Sequence, residues 1–165
     1  MSLLSLCQWL QQTPLSTGIR ESVWTFPIIE TTHLLSLAVS VGTILFVDLR
    51  LVGAGMKRVP VGDLISQLQP WTLGGFVVTF LTGLLLTLSE PLRCYYSMFF
   101  NIKLVLLALL GINAFAFHRT VFRTVAKWGE GMPLPPRARM AGYISLTLWM
   151  AVIVLGRGIA YTAAH

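Results

Sequence analysis

The sequence predicts an all-α integral membrane protein: a four-helix transmembrane bundle preceded by an interfacial amphipathic helix. Bulk composition is the first indication, because 55% of the 165 residues are hydrophobic, only 11% are charged and the mean hydropathy is +0.75. That is too apolar for a soluble domain and too short for more than one membrane domain. Second, apolar runs at about 24–49, 71–89, 99–118 and 138–161 each approach or exceed the roughly 20 residues that cross a bilayer at about 1.5 Å rise per residue. Third, the basic residues behind the net charge of +6 lie mainly in the loops between these runs. They form no single basic surface, so topology and lipid headgroups account for the charge and nucleic-acid binding is not expected.

Residues 1–13 open the chain. Leu3, Leu6, Cys7 and Leu10 share one helical stripe with Gln8, Gln11 and Gln12 elsewhere, the pattern of a helix lying in the interface. No basic n-region or small-residue cleavage site marks a signal peptide, so this helix is expected in the mature protein. Thr13, Pro14 and the stretch 16–18 read as a turn. Trp24 then sits at interface depth, and Pro27 suits the start of span one, which Asp48 and Arg50 close.

The connection 51–70 contains Gly53, Gly55, Lys57, Arg58 and Pro60, followed by a short surface helix with Leu64, Ile65 and Leu68 on its lower side. Span two carries Gly74, Gly75 and Gly83, which permit close approach of neighbouring backbones. Glu90 and Pro91 end it. A short loop with Arg93, Cys94, Tyr95 and Tyr96 leads to span three, which finishes at His118 and Arg119. A basic loop rich in proline and glycine, 120–136, precedes span four.

Four spans place both termini on one side. Arg50, Lys57, Arg58, Arg119, Arg123, Lys127, Arg137 and Arg139 lie on one side of the bundle, against Arg20, Arg93, Lys103 and Arg157 on the other. The positive-inside bias makes the richer side cytoplasmic. Both termini are then outside, periplasmic for a bacterial inner membrane. Cys7 and Cys94 share that more oxidising side; a disulfide is open to them, and two free thiols are the simpler expectation.

Span one carries ionisable groups where they are costly, and such groups are normally kept only where they face protein, a cavity or a cofactor. At 100° per residue, Glu30, His33, Leu37, Ser40 and Asp48 fall within about 80° of one another, so this face is expected to look inward. In span four Arg139, Tyr143, Met150, Arg157 and Tyr161 fall within about 40° of one another. Counted along the helices, Glu30 and Arg157 both lie roughly 10–12 Å to the outer side of mid-span, and Asp48 and Arg139 roughly 15 Å to the inner side. Two interhelical ion pairs are expected, Glu30 with Arg157 and Asp48 with Arg139. A lone partner at such depth costs several kcal/mol.

The stretches SVWTFPIIETTHLLSLAVSVGTILFVDLRLVG, GGFVVTFLTGLLLTLSEP, NIKLVLLALLGINAFAFHR and ARMAGYISLTLWMAVIVLGRGIAY resemble an uncharacterised family of small bacterial four-helix inner-membrane proteins, over most of residues 15–161. That resemblance implies the topology and assigns no activity. More distantly, His33, Thr82, Gly83 and Lys103 are similar to a pattern of the copper-resistance D membrane family and of HemJ-like protoporphyrinogen oxidases. In the latter the early histidine is a haem ligand, which implies that role for His33 by analogy. The arginine and asparagine-glutamate pattern of HemJ is absent from span four.

A b-type haem needs an axial nitrogen, often a second ligand at similar depth, and groups to receive its propionates. His33 offers the first, and Arg157, Tyr161 and Trp24 the last. His118 lies roughly 18 Å from His33 along the membrane normal, too far to share one iron. His33 must act alone or pair with its copy across a two-fold dimer; otherwise His118 serves a second haem, with Met140 beside it. His165 is confined to the tail. The competing expectation makes His33 a buried imidazole hydrogen-bonded to Glu30, Ser36 or another helix, within a non-catalytic subunit of a homo-oligomer or larger membrane complex. The aromatic surface of spans two and three, Phe76, Phe80, Phe99, Phe100 and Phe115, suits docking there. Copper is less well served, since Met98, Met132, Met140 and Met150 form no methionine-rich repeat. Proton or ion translocation would run through Glu30, His33 and Arg157 and then Asp48, Arg139 and His118. No Ser-His-Asp order, P-loop, GxGxxG or HExxH is present.

Overall fold

The computed structural model of the chain describes residues 3–120 and 134–161, with side chains to residue 158. Among the described residues seven helices follow in order: α1 (Leu3–Gln11), α2 (Pro14–Glu21), α3 (Thr25–Val52), α4 (Val61–Ser89), α5 (Pro91–Tyr96), α6 (Met98–Thr120) and α7 (Pro136–Tyr161). The described residues contain no strand. α3, α4, α6 and α7 are each long and apolar enough to cross a membrane, as expected for the four spans. Arg123, Lys127 and Met132 of the basic loop, the side chain of Tyr161, and His165 lie outside the described residues.

The four spans form an open arc in the order α4, α3, α7, α6. α3 packs most extensively on α4, α6 on α7, and α3 on α7, while the backbones of α4 and α6 do not approach closely among the described residues. Close approach of α3 and α7 is set at Gly142. A Cβ there would stand 3.1 Å from Leu51 Cβ and Val52 Cγ1 and 3.3 Å from the Asp48 carbonyl. Two apolar clusters fill the arc. One, at the α3 C-terminal end, joins Leu51, Val61, Ile65, Phe117 and Ala138. The other, nearer mid-span, centres on Leu110, Trp149 and Val152, with Phe76 packed beside it. Phe76 and Trp149 stack at 5.8 Å between centroids and 25° between planes, a favourable offset geometry.

Three local expectations are corrected. The segment read as a turn at 13–18 is helix α2, because Thr13 Oγ1 caps the Ser16 N–H and Pro14 occupies the first turn, where its missing N–H costs nothing. The surface helix and span two are one helix, α4, running through Pro70. The loop before span three holds the short helix α5.

The amphipathic α1 is confirmed as a helix and packs on α5, while α2 docks on the end of α4. Buried Ser16 donates from Oγ to the Ser89 carbonyl at 3.1 Å, and Arg20 Nη1 donates to the same oxygen at 3.3 Å. These two donors satisfy a carbonyl that the helix terminus leaves without an intrahelical partner. α3 ends at Gly53, whose φ of 81° lies in the left-handed region. This conformation suits glycine and lets Gly53, Ala54 and Gly55 donate back to Arg50 and Leu49.

Candidate functional site

Small polar residues run along α3 at 33, 36, 40 and 43, and along α4 at 82, 79, 75 and 72. These steps of three and four residues match in reverse, as two antiparallel helices in one register require. His33 Nδ1 lies 3.0 Å from Thr82 Oγ1. Thr79 Oγ1 donates to Ser36 Oγ at 2.9 Å. Thr43 and Thr72 hydroxyls lie 2.8 Å apart. Between them Ser40 is wholly buried against Gly75, where a Cβ would run into Ser40 Oγ and fall 3.1 Å from the Ser36 carbonyl. The α3–α4 pair is therefore zipped by four polar or small-residue steps, the kind of contact that replaces the hydrophobic effect inside a bilayer.

The hydroxyl proton of Thr82 goes to the Val78 carbonyl, 2.7 Å away. Its oxygen is left to accept from His33, so in the neutral imidazole Nδ1 carries the proton and Nε2 the lone pair. The ring's Cε1 edge rests on Gly83, where a Cβ would come within 3.0 Å. The charges of Lys103 and Glu30 reach the imidazole, and the Lys103 ammonium lies near Gly156 of α7. His33 is thus half-buried and bonded to another helix, one of the two roles its position allowed.

Other expected contacts do not form. Glu30 and Arg157 are both exposed, and among the described residues no ion pair joins them; the one between described side chains is Glu90 with Arg93 at the α4–α5 junction. Nor is Asp48 paired with Arg139. Arg139, Tyr143, Met150 and Arg157 lie on the outer face of α7, whose inner face is Ala138, Gly142, Ser145, Trp149 and Val152. Small residues decide the packing face of α7, while long arginine stems near helix ends extend toward the interface.

The second polar site lies at the opposite end. A cavity of about 400 Å³ separates α4 from α6, floored by α3 and α7. Its walls are largely apolar, from Leu68, Leu73 and Phe76 on one side to Leu107, Leu110 and Phe117 on the other. Asp48 lines it at 5% exposure. Ser145, itself buried, lines the same cavity. Oδ2 of Asp48 is buried with no hydrogen-bond partner. His118 lies at the cavity rim with Nδ1 2.9 Å from the Ala114 carbonyl.

The haem expectation is tested by this geometry. The Nε2 lone pair of His33 has the right chemistry for an axial ligand. The remaining groups do not assemble around it: His118 belongs to the other end, Arg157 faces outward, and His33 is not among the residues lining the cavity. These residues do not fit a haem at His33. No group of three or more His, Cys, Asp or Glu side chains that could hold a metal ion occurs among the described residues. Cys7 and Cys94 are free thiols.

Ser145, Asn113 and Thr72 are among the polar cavity residues that sequence reasoning missed. Their signal is weak, since each is a single small polar residue inside an apolar run. No curated protein and no solved structure matches the chain. The model of a family of unknown function, DUF6644, matches residues 22–162 and therefore all four membrane-spanning helices, and the chain belongs to that family.

Proposed function

We propose that the protein is a non-catalytic membrane subunit that holds a small amphiphilic molecule in the cavity between α4 and α6. We place it in the bacterial inner membrane with both termini outside, on the charge bias of its loops. One observation carries the binding role: an apolar cavity of about 400 Å³ with a single buried, incompletely satisfied carboxylate in its wall. The volume falls in the range of about 300–1,000 Å³ typical of small-molecule sites, and few convergent polar groups in an apolar wall are their usual composition. An ionisable residue inside a membrane span is itself a mark of function. The backbones of α4 and α6 stand apart, and the gap between them offers the ligand a lateral route from the lipid.

The distant likeness to copper-resistance D and HemJ-like proteins rests its weight on His33, whose Nδ1 is engaged by the α3–α4 zipper. Binding of a neutral, environment-sensitive naphthalene dye to the purified full chain tests the proposal. A Cβ on Gly111 meets nothing within 4 Å, and the residue lines the cavity. Gly111→Phe is therefore expected to fill the space and weaken the dye at least fivefold. Unchanged binding in that variant would defeat the proposal. A Soret band that disappears in His33→Ala would favour the redox reading instead.

A further inference from the structure

We propose that the molecule held in the cavity is a lipophilic primary amine, its ammonium seated on the Asp48 carboxylate. This rests on the cavity being a ligand site and goes further by naming the head group. Several polar groups on the wall are already engaged. Asn113 donates its amide Nδ2–H to the Ala141 carbonyl at 3.1 Å. Thr72 Oγ1 lies 2.9 Å from the Leu68 carbonyl and 2.8 Å from Thr43 Oγ1. Ser145 is buried on the same wall. Oδ2 of Asp48 is left without a partner, while Asn113 keeps one amide N–H and its carbonyl oxygen, and the exposed Gln69 amide lies on the same lining.

Charge points the same way. Asp48 is buried in an apolar wall, and the basic groups nearest in the fold are directed elsewhere. Arg50, two residues on, donates Nε to the Val59 carbonyl at 2.8 Å, and Arg139 lies on the outer face of α7. His118 at the rim is exposed, with its Nδ1 at the Ala114 carbonyl. A buried carboxylate without a counter-charge is strongly unfavourable, and a ligand that brings the cation removes that cost. An ammonium supplies one positive charge and three donors, matching an orphaned acceptor that carries the opposite charge. An alcohol brings one donor and no charge. A fatty acid or phospholipid phosphate brings the wrong sign.

Displacement of the same naphthalene dye from the full chain in zwitterionic lipid nanodiscs tests this, with octylamine, octanol and octanoate as probes at pH 7. The expected result is displacement by octylamine at least tenfold below the concentration needed for octanol, with octanoate ineffective. Asp48→Asn should bring amine and alcohol to equal potency, and His118→Ala should leave the amine preference in place. Equal potency of octylamine and octanol on the unmodified chain overturns the amine assignment and leaves the cavity reading standing. A preference that survives Asp48→Asn, or one that is lost in His118→Ala, also overturns it. A dye that never binds the cavity defeats the underlying reading instead.

Discussion

Thr82 Oγ1 accepts from His33 Nδ1 across 3.0 Å while it donates to the Val78 carbonyl within its own helix at 2.7 Å. One hydroxyl thereby sets both the tautomer of the imidazole and the depth at which α3 meets α4. Thr82→Val keeps the shape and removes the acceptor, whereas Thr82→Ser keeps it. Thermal unfolding of purified variants should show a coupling of about 0.6–1.7 kcal/mol between His33→Ala and Thr82→Val, the range measured for interhelical hydrogen bonds in membranes. Thr82→Ser should stay close to the unmodified protein. Additive single effects would remove the bond from the energetics.

Gly75 is the tightest point of the zipper. A Cβ there meets Ser40 Oγ and, at 3.1 Å, the Ser36 carbonyl, which cannot rotate away. Gly75→Val is therefore expected to destabilise by about 1–3 kcal/mol, as overpacking of a filled interior does. Gly74→Val, beside it but with open space for its Cβ, serves as the control and should change the midpoint far less.

How much of this was legible in the sequence depends on what each residue was asked to reveal. Hydropathy over about 20 residues located the spans, since the bilayer imposes that length on any apolar helix. The inward face of α3 was legible for His33, Ser40 and Asp48. It failed at Glu30, because a helical wheel assigns one environment to every depth, and a side chain in the first turns can turn aside toward the interface. On α7 the arginines and tyrosines aligned convincingly, yet they mark the outer face, and Gly142 and Ser145 mark the inner one. Packing there follows the smallest residues, which a search for charge overlooks. The zipper itself was present as matched three- and four-residue steps in two spans, a pattern that appears only when the spans are read against each other. The cavity was not legible, because it arises from two helix backbones standing apart.

In the absence of ligand, Asp48 is a stability liability. Replacing it by Leu should raise the unfolding temperature of the purified, ligand-free protein, by the equivalent of about 1–3 kcal/mol for relieving an unsatisfied buried polar atom. The advantage of the amine over the alcohol in displacing the dye should be lost in the same variant. Arg139→Ala, on the outer face, should change little, and the double variant should be additive, since the two side chains form no ion pair. A fall in stability for Asp48→Leu would show that the carboxylate has a partner within the chain.

Cys94 lies on α5, outside the spans. Burial pushes its thiol above the ordinary range, and Glu90 adds to the effect. A raised pKa means less thiolate at any given pH, and thiolate is the reactive form. In a Cys7→Ser background, alkylation at pH 8 should therefore be slower in the folded chain than in the denatured chain, and the gap should narrow as pH rises well above the usual thiol range. Equal rates at pH 8 would place Cys94 in open solvent.

The unbroken α4 has a mechanical consequence. Its 29 residues extend about 43 Å at about 1.5 Å each, whereas the hydrocarbon they cross is only about 30 Å thick. The surplus is absorbed by leaning from the membrane normal or by projecting into the headgroups on the side of Val61. Because α3 is zipped along α4 and α6 is not, a change in bilayer thickness would swing the zipped pair as one rod and widen or narrow the gap beside it.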